Sequence, residues 1–492
     1  MDIRKTHANL QLAMPTFSAP ASLTASRSLG DRPSSLTIAN AIKLLHSGRL
    51  RCVDLVRDCL AEVTARNGAL KALVTLDCDA TLKEAAEADD RRTSGRPLPS
   101  LHGIPISLKD NIDTADIRTT AGSAVFADRV PSSDAEVVRR LKCAGAIIMG
   151  KCNMQEFALG PTSTSSMFGA VRNPRNPDYS AGGSSGGSAA AIAANMSMAS
   201  IGTDTGGSLR NPSAFCGVVG FKPTHGLVPM KGIVPVVRSL DHCGTITKCV
   251  EDARLVLAAI AGFGADKAEN FGEPTPRETR NLTLGIPENP FLFDIDPQIV
   301  TNFDLLLRQA GLLVGPVKTI EYRFGEEIDA IDLEIEQYAY HAPLFADFEQ
   351  KYTEFGRIST RIIVDKYEQR ARDGINEAKI YMRVRKHLEA LRQRSHKLFV
   401  HCDVVMVPTM RILPWTIVEA IKRDAEVAVH NSRSYSNGAA FNYLGLPAIT
   451  IPCGFANNGL PLGVTIAAPQ FHERQLLAFA AALERSLAFA PG

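Results

Sequence analysis

Residues 181–212 read "AGGSSGGSAAAIAANMSMASIGTDTGGSLRNP", two glycine-serine clusters separated by an alanine-rich run. Flexible Gly/Ser linkers separate domains, whereas these clusters sit among "AAAIAA", "MASIG" and "FCGVVG". They belong to buried structure. A phosphate cradle needs a lysine directly before a Ser or Thr at the close of its loop, or GxGxxG opening a helix after a strand; neither is present. The first cluster satisfies G-x-S-x-G twice, at 182–186 and 183–187, but a nucleophile elbow requires an apolar strand running into it. Pro174 and Pro177 precede it instead, and proline cannot donate to a sheet ladder.

The second cluster has the context that the first lacks. The apolar strand "SMASIGTD" runs into Thr205-Gly206-Gly207-Ser208, followed by a short helix at "PSAFCG". Paired glycines let successive N–H groups turn toward one point and bind developing negative charge. A serine beside such a nest suits acyl transfer, with the N–H groups as oxyanion hole. Taken alone, "TGGS" reads equally well as a structural turn.

Working outward, strands alternate with helices, which implies an α/β domain around a largely buried sheet. Ile38, Ile42, Leu45 and then Leu55, Cys59, Val63 recur at helical spacing. The run "IPISLKD", a helix in "SDAEVVRRLKCAGA" that Ser133 or Asp134 can cap, and the strand "IIMGKCN" come next. "SAAAIAANM" reads as a closely packed helix and "GVVGFKPT" as a strand. Residues 264–281 are polar with two prolines, a surface excursion, and about 320–400 is a charged helical insert. Buried strands return at "CDVVMVPT" and "LPAITIPCG", and "ERQLLAFAAALERSLA" closes the chain as a helix. The shared character of the strands on either side of the insert predicts one large domain over 37–492, preceded by a flexible extension over 1–36 rich in Ser, Ala and Pro.

The composition is globular, 45% hydrophobic and 22% charged, with 54 basic against 52 acidic residues. No basic run tracks a phosphate backbone, so no nucleic-acid partner is expected. The ten cysteines show no CxxC spacing; they read as buried thiols of a reducing, cytoplasmic protein, with no metal site. No apolar stretch approaches the roughly 18 residues that span a bilayer.

A serine nucleophile needs a base. Of eleven histidines only His225 lies in the glycine-rich region, and no SxxK occurs in the chain. Lys109, after the apolar run in "HGIPISLKDNID", is the alternative, since desolvation lowers a lysine pKa toward a usable base. A buried ion pair from Lys109 to Asp110 or Asp113 is the competing reading.

These segments resemble the amidase signature enzymes. "GGSSGGSAAAIAANMSMASIGTDTGGSLRNPSAFCGVVGFKPTHG" is similar to the family's Ser/Gly signature, "LHGIPISLKDNI" to its lysine motif, and "AFNYLGLPAITIPCGFANNGLPLGVTIAAP" to its C-terminal stretch. The resemblance runs from about residue 37 to the end. It implies a mixed central sheet with helices on both faces and hydrolysis of amides by a Ser–cis-Ser–Lys triad. Ser208 is then the nucleophile, Ser184 the bridging serine on a cis peptide, and Lys109 the base. It further implies that Thr205, Gly206, Gly207 and Ser208 supply N–H groups to the oxyanion, that Ser185, Asp204 and Arg210 hold the loops, and that Ala158 is a substrate-side position. No metal or organic cofactor is implied; the expected partners are a small-molecule amide and at most a second copy of the chain.

Within the family a second reading is the A subunit of glutamyl-tRNA amidotransferase, which releases ammonia from glutamine. Its "YDGVRYG" and "EVKRRIMLG"-like segments are replaced here by "HAPLFADFEQKYTEFGRISTRIIVDKYEQRARDGINEAKIYMRV", which resembles the stand-alone amidases. A third reading, an inactive binding member, meets the presence of Lys109, Ser184 and Ser208 together. Phe345, Phe348, Tyr352 and Phe355 of the insert are candidates for an apolar acyl or aryl pocket, with core packing as the alternative, and Gln155 in "NMQEF" departs from the family's commoner text.

Overall fold

The computed structural model describes residues 32–261, 277–287, 289–430 and 435–487. Within them eleven strands form one sheet: β1 Leu73–Thr75, β2 Pro105–Lys109, β3 Ile147–Cys152, β4 Ala199–Asp204, β5 Val219–Lys222, β6 His242–Thr247, β7 Leu284–Pro287, β8 Val317–Ile320, β9 Val404–Pro408, β10 Ala448–Phe455 and β11 Pro461–Ala467. Their spatial order is β1-β3-β2-β4-β6-β5-β10-β11-β9-β7-β8. The runs β3-β2-β4 and β9-β7-β8 are parallel. The remaining pairs are antiparallel, so the sheet is mixed.

Successive strand residues point to opposite faces, and the central strands are apolar on both. Val404 and Met406 of β9, with Ile449, Ile451, Val464 and Ile466, join one core, whereas Val405, Val407, Ala448 and Ala467 join another. Sixteen helices lie among the described residues. The first core is covered by α1 (Ile38–His46), α2 (Cys52–Leu70), α3 (Cys78–Thr93), α4 (Glu136–Cys143), α7 (Val250–Ile260), α9 (Pro297–Gly311) and α16 (Glu473–Leu487). On the other side lie α5 (Gly186–Ala193), α6 (Arg210–Cys216), the insert helices α10 (Gly325–Asp329), α11 (Glu334–Phe348), α12 (Glu354–Arg372) and α13 (Glu377–Arg394), and α15 (Ala439–Tyr443). The short α8 (Arg277–Arg280) and α14 (Ile417–His430) complete the set. The result is a single α/β domain with helices on both faces of its sheet.

Two expectations change in detail. The cap of α4 is Ala135, with no side-chain hydrogen bond; Asp134 instead accepts from the Ala115 N–H (2.9 Å) and Lys142 (2.8 Å). The extension expected to be flexible over 1–36 is docked from residue 32 onward: Ser34 is buried, its N–H donates to Asp58 (2.9 Å), and its carbonyl accepts from Lys248. Residues 1–31, and 264–276 of the expected surface excursion, lie outside the described residues. Six of the ten cysteines are buried, none is in a disulfide, and Cys143 is exposed. No helix among the described residues is long and apolar enough to cross a membrane.

Candidate active site

Parallel neighbours β2 and β4 end side by side, β2 at Lys109 and β4 at Asp204, and carboxyl ends of parallel strands are where α/β sheets place ligands. Into this edge the start of α5 brings Ser184, on a Gly183–Ser184 peptide that is cis. Close packing explains the glycines around it: a Cβ at Gly183 would stand 2.8 Å from the Ser163 nitrogen, and one at Gly187 only 2.3 Å from the Asn153 carbonyl oxygen.

Lys109 Nζ donates to Ser184 Oγ (2.7 Å) and Thr203 Oγ1 (2.8 Å), and both Lys109 and Ser184 are fully buried. Burial lowers the Lys109 pKa to about 7, against the opposing pull of Asp204, Asp241 and Cys243. The competing ion pair does not form. Asp110 turns to Thr120, accepting from its N–H (3.1 Å) and its hydroxyl, and Asp113 pairs with Arg129 (2.8 Å). His225 lies instead against Arg392 (3.2 Å) and the ring of His242 (5.1 Å), where burial and Arg392 lower its pKa to about 3.

Ser208 differs from Ser184 in one decisive respect, being partly exposed. With Thr205 and Gly206 it lines a cavity of about 550 Å³, large enough for a drug-sized ligand. The site thus combines a buried amine bonded to a buried hydroxyl with an accessible hydroxyl on the cavity wall. No histidine is among the described residues that line it.

The family model described as Amidase matches residues 54–477. The chain belongs to the amidase signature family. It is 32% identical over 454 residues to the A subunit of the glutamyl-tRNA(Gln) amidotransferase of Koribacter versatilis, covering 87% of this chain and 93% of that one. A crystal structure of an amidase superposes with a TM-score of 0.78 at 28% identity, over 92% of this chain and all of that one. The peptide amidase of Stenotrophomonas maltophilia does so with 0.72 at 28%, over 92% and 96%. As an amidase signature enzyme the chain acts on amide C–N bonds.

Around Ser184 and Ser208 the two glycine-serine clusters are tied together. Ser185 N–H donates to the Ser208 carbonyl (3.2 Å) and Ser185 Oγ to the Thr203 carbonyl (3.1 Å). Arg210 and Asp204 form a fully buried pair, Nη2 to Oδ1 at 2.8 Å and Nε to Oδ2 at 2.9 Å. Burial alone would raise the Asp204 pKa, but Arg210, Lys222 and Asn442 outweigh it and keep the carboxylate ionised. One expectation is corrected. Gly207, expected to offer its N–H to an oxyanion, has a φ of 125° and donates that N–H to Asp204 Oδ1 (2.8 Å) instead.

Ala158 lines the cavity. Of the four insert aromatics only Phe355 does so; Phe345 and Tyr352 are core, and Phe348 is exposed beside Lys351. Gln155 supports the cavity wall from behind: its Nε2 donates to Asp424 (3.1 Å), which also accepts from Thr162 and Thr164 (2.8 and 2.7 Å). Thr203, Asn111, Asp241 and Asn442 are not singled out by the sequence, yet Asn111 Nδ2 reaches Thr203 Oγ1 (3.3 Å) and Asn442 Nδ2 reaches Asp204 Oδ1 (2.8 Å). Among the described residues no cluster of three or more His, Cys, Asp or Glu could hold a metal ion.

Arg210→Ala is expected to destabilise the fold by about 3–5 kcal/mol, because it leaves the Asp204 charge buried and uncompensated. Urea unfolding of the variant measures this directly, and a loss under about 1 kcal/mol would mean that the pair is dispensable.

Proposed function

We propose that the chain hydrolyses a carboxylic amide through an acyl-enzyme on Ser208. The observation that supports it is the buried Lys109–Ser184 contact together with an accessible Ser208 whose carbonyl accepts from the Ser185 N–H. Neutral Lys109 takes a proton from Ser184 Oγ, which takes one from Ser208 Oγ as that oxygen bonds to the amide carbon. The N–H groups of Thr205, Gly206 and Ser208 stabilise the oxyanion. The C–N bond then breaks, and the proton returns from Lys109 through Ser184 to the leaving amine. Water gives its proton to the same relay, attacks the acyl carbon and frees Ser208 and a carboxylic acid. Esters offer the same carbonyl with a better leaving group, so ester hydrolysis falls within the reading.

Leu159, Val237, Leu240, Leu333, Phe355 and Ile363 give the cavity apolar walls, which suits an alkyl or aryl acyl group. A second reading, the glutamine-using A subunit of a tRNA-dependent amidotransferase, is favoured by the name of the relative from Koribacter versatilis. Against it, no lysine or arginine is among the described lining residues to hold the α-carboxylate of glutamine. The purified chain alone is expected to release product from para-nitroacetanilide and hexanamide faster than ammonia from glutamine. Glutaminase activity that emerges only with added partner proteins would instead support the second reading.

A further inference from the structure

Thr205, first of the oxyanion-side residues, is held by a carboxylate that the relay does not use. Its Oγ1 donates to Asp241 Oδ1 (2.6 Å), and Asp241 is buried. The pairing of β4 with β6 sets Asp204 opposite His242, which brings Asp241 beside Thr205. The same carboxylate gathers the start of its own loop, accepting from the N–H groups of Val236 (2.9 Å) and Val237 (3.2 Å). Desolvation raises its pKa, and these three donors oppose that rise.

The far side of loop 236–241 is gripped by the helical insert. Glu336 of α11 accepts from the Ser239 N–H (2.9 Å), the Ser239 hydroxyl and Tyr381 Oη (2.9 Å). Two arginines of α13 complete the grip: Arg385 donates to Ser239 Oγ (2.7 Å) and Arg392 to the Ser239 carbonyl (2.6 Å). Val237 and Leu240 of the loop line the cavity, as do Glu334 and Gln337 on either side of Glu336. One loop therefore touches both the substrate wall and the residue that opens the donor turn.

We propose that Asp241 is a positioning residue for acyl transfer: through Thr205 it fixes the oxyanion donors, and through loop 236–241 and Glu336 it ties them to the insert wall of the cavity. The inference rests on the seryl amidase reading above. Donors aimed at an oxyanion act on the transition state and not on the bound amide, so loosening them lowers kcat and leaves KM nearly unchanged.

The test uses para-nitroacetanilide with the full chain and the variants Asp241→Asn, Thr205→Val and both together. Each single variant is expected to lose about tenfold in kcat with KM within about twofold of the parent, and the double variant to lose no more than the worse single. Thr205→Val keeps the backbone N–H and leaves every other bond of Asp241 in place, so it reads the same contact if the Asp241 variant unfolds. Glu336→Ala is expected to show the same split. Unchanged kcat in the singles, a rise confined to KM, or additive losses in the double variant would overturn the inference. Ser208→Ala measured in parallel separates the two levels: turnover surviving there defeats the seryl reading, whereas Ser208-dependent turnover indifferent to Thr205 and Asp241 defeats only the positioning role.

Discussion

Ser208→Ala is expected to bring amide turnover down to background, a loss of about 10⁴-fold or more, since no covalent route remains once the attacking oxygen is gone. The expectation follows from exposure as much as from motif. Ser208 alone of the three relay groups reaches the cavity, and Ser184, fully buried against Lys109, has its hydroxyl 2.7 Å from the amine. Ser184→Ala is expected to be impaired as well, because it removes the bridge through which the proton travels. A variant at Ser208 that still turns over amide would place the nucleophile elsewhere.

Lys109→Ala is expected to lower kcat by about 10³-fold, within the range for losing a positioned general base. Its signature lies in the pH profile. Burial disfavours the ammonium, so the folded protein holds Lys109 at about 7, well below the ordinary 10.5. Below that value the amine is protonated and cannot accept the Ser184 proton; above it the base is free. In the parent enzyme kcat/KM is therefore expected to rise with pH through about 7, and in Lys109→Ala that limb disappears. A parent profile flat between about pH 5 and 9 would contradict the assignment of the base.

The legible parts of this fold are those where residue type and geometry coincide. Strands β2, β3, β4, β5, β9 and β10 each carry a short apolar run, and the structure has strands at all of them. β6, "HCGTIT", is equally buried but mixes glycine and threonine with its apolar residues, and its place between β4 and β5 is set by pairing that no local pattern displays. The three-residue β1 and the edge strand β8, exposed over its first three residues, carry still less signal.

The site divides in the same way. Lys109 lies 75 residues before Ser184, and no spacing rule joins it to the two serines; the motifs of the family connect what only the sheet edge brings together. Thr203 and Asp241 give no sign of their part in the sequence, because each acts by a hydrogen bond that exists only after β2, β4 and β6 are aligned. Gly207, expected among the oxyanion donors, has its N–H bonded elsewhere for a similar reason. The choice of Gly207 rests on its place in "TGGS", while the bond of its N–H to Asp204 depends on where β4 ends.

On this reading the two glycine-serine clusters divide the chemistry, the first passing a proton and the second bearing the acyl group. Rapid quenching during turnover of para-nitrophenyl hexanoate, followed by peptide mass mapping, tests this most directly. A hexanoyl mass is expected on the peptide containing "TGGSLR", located at Ser208 and absent in Ser208→Ala. An acyl group on Ser184 would contradict it.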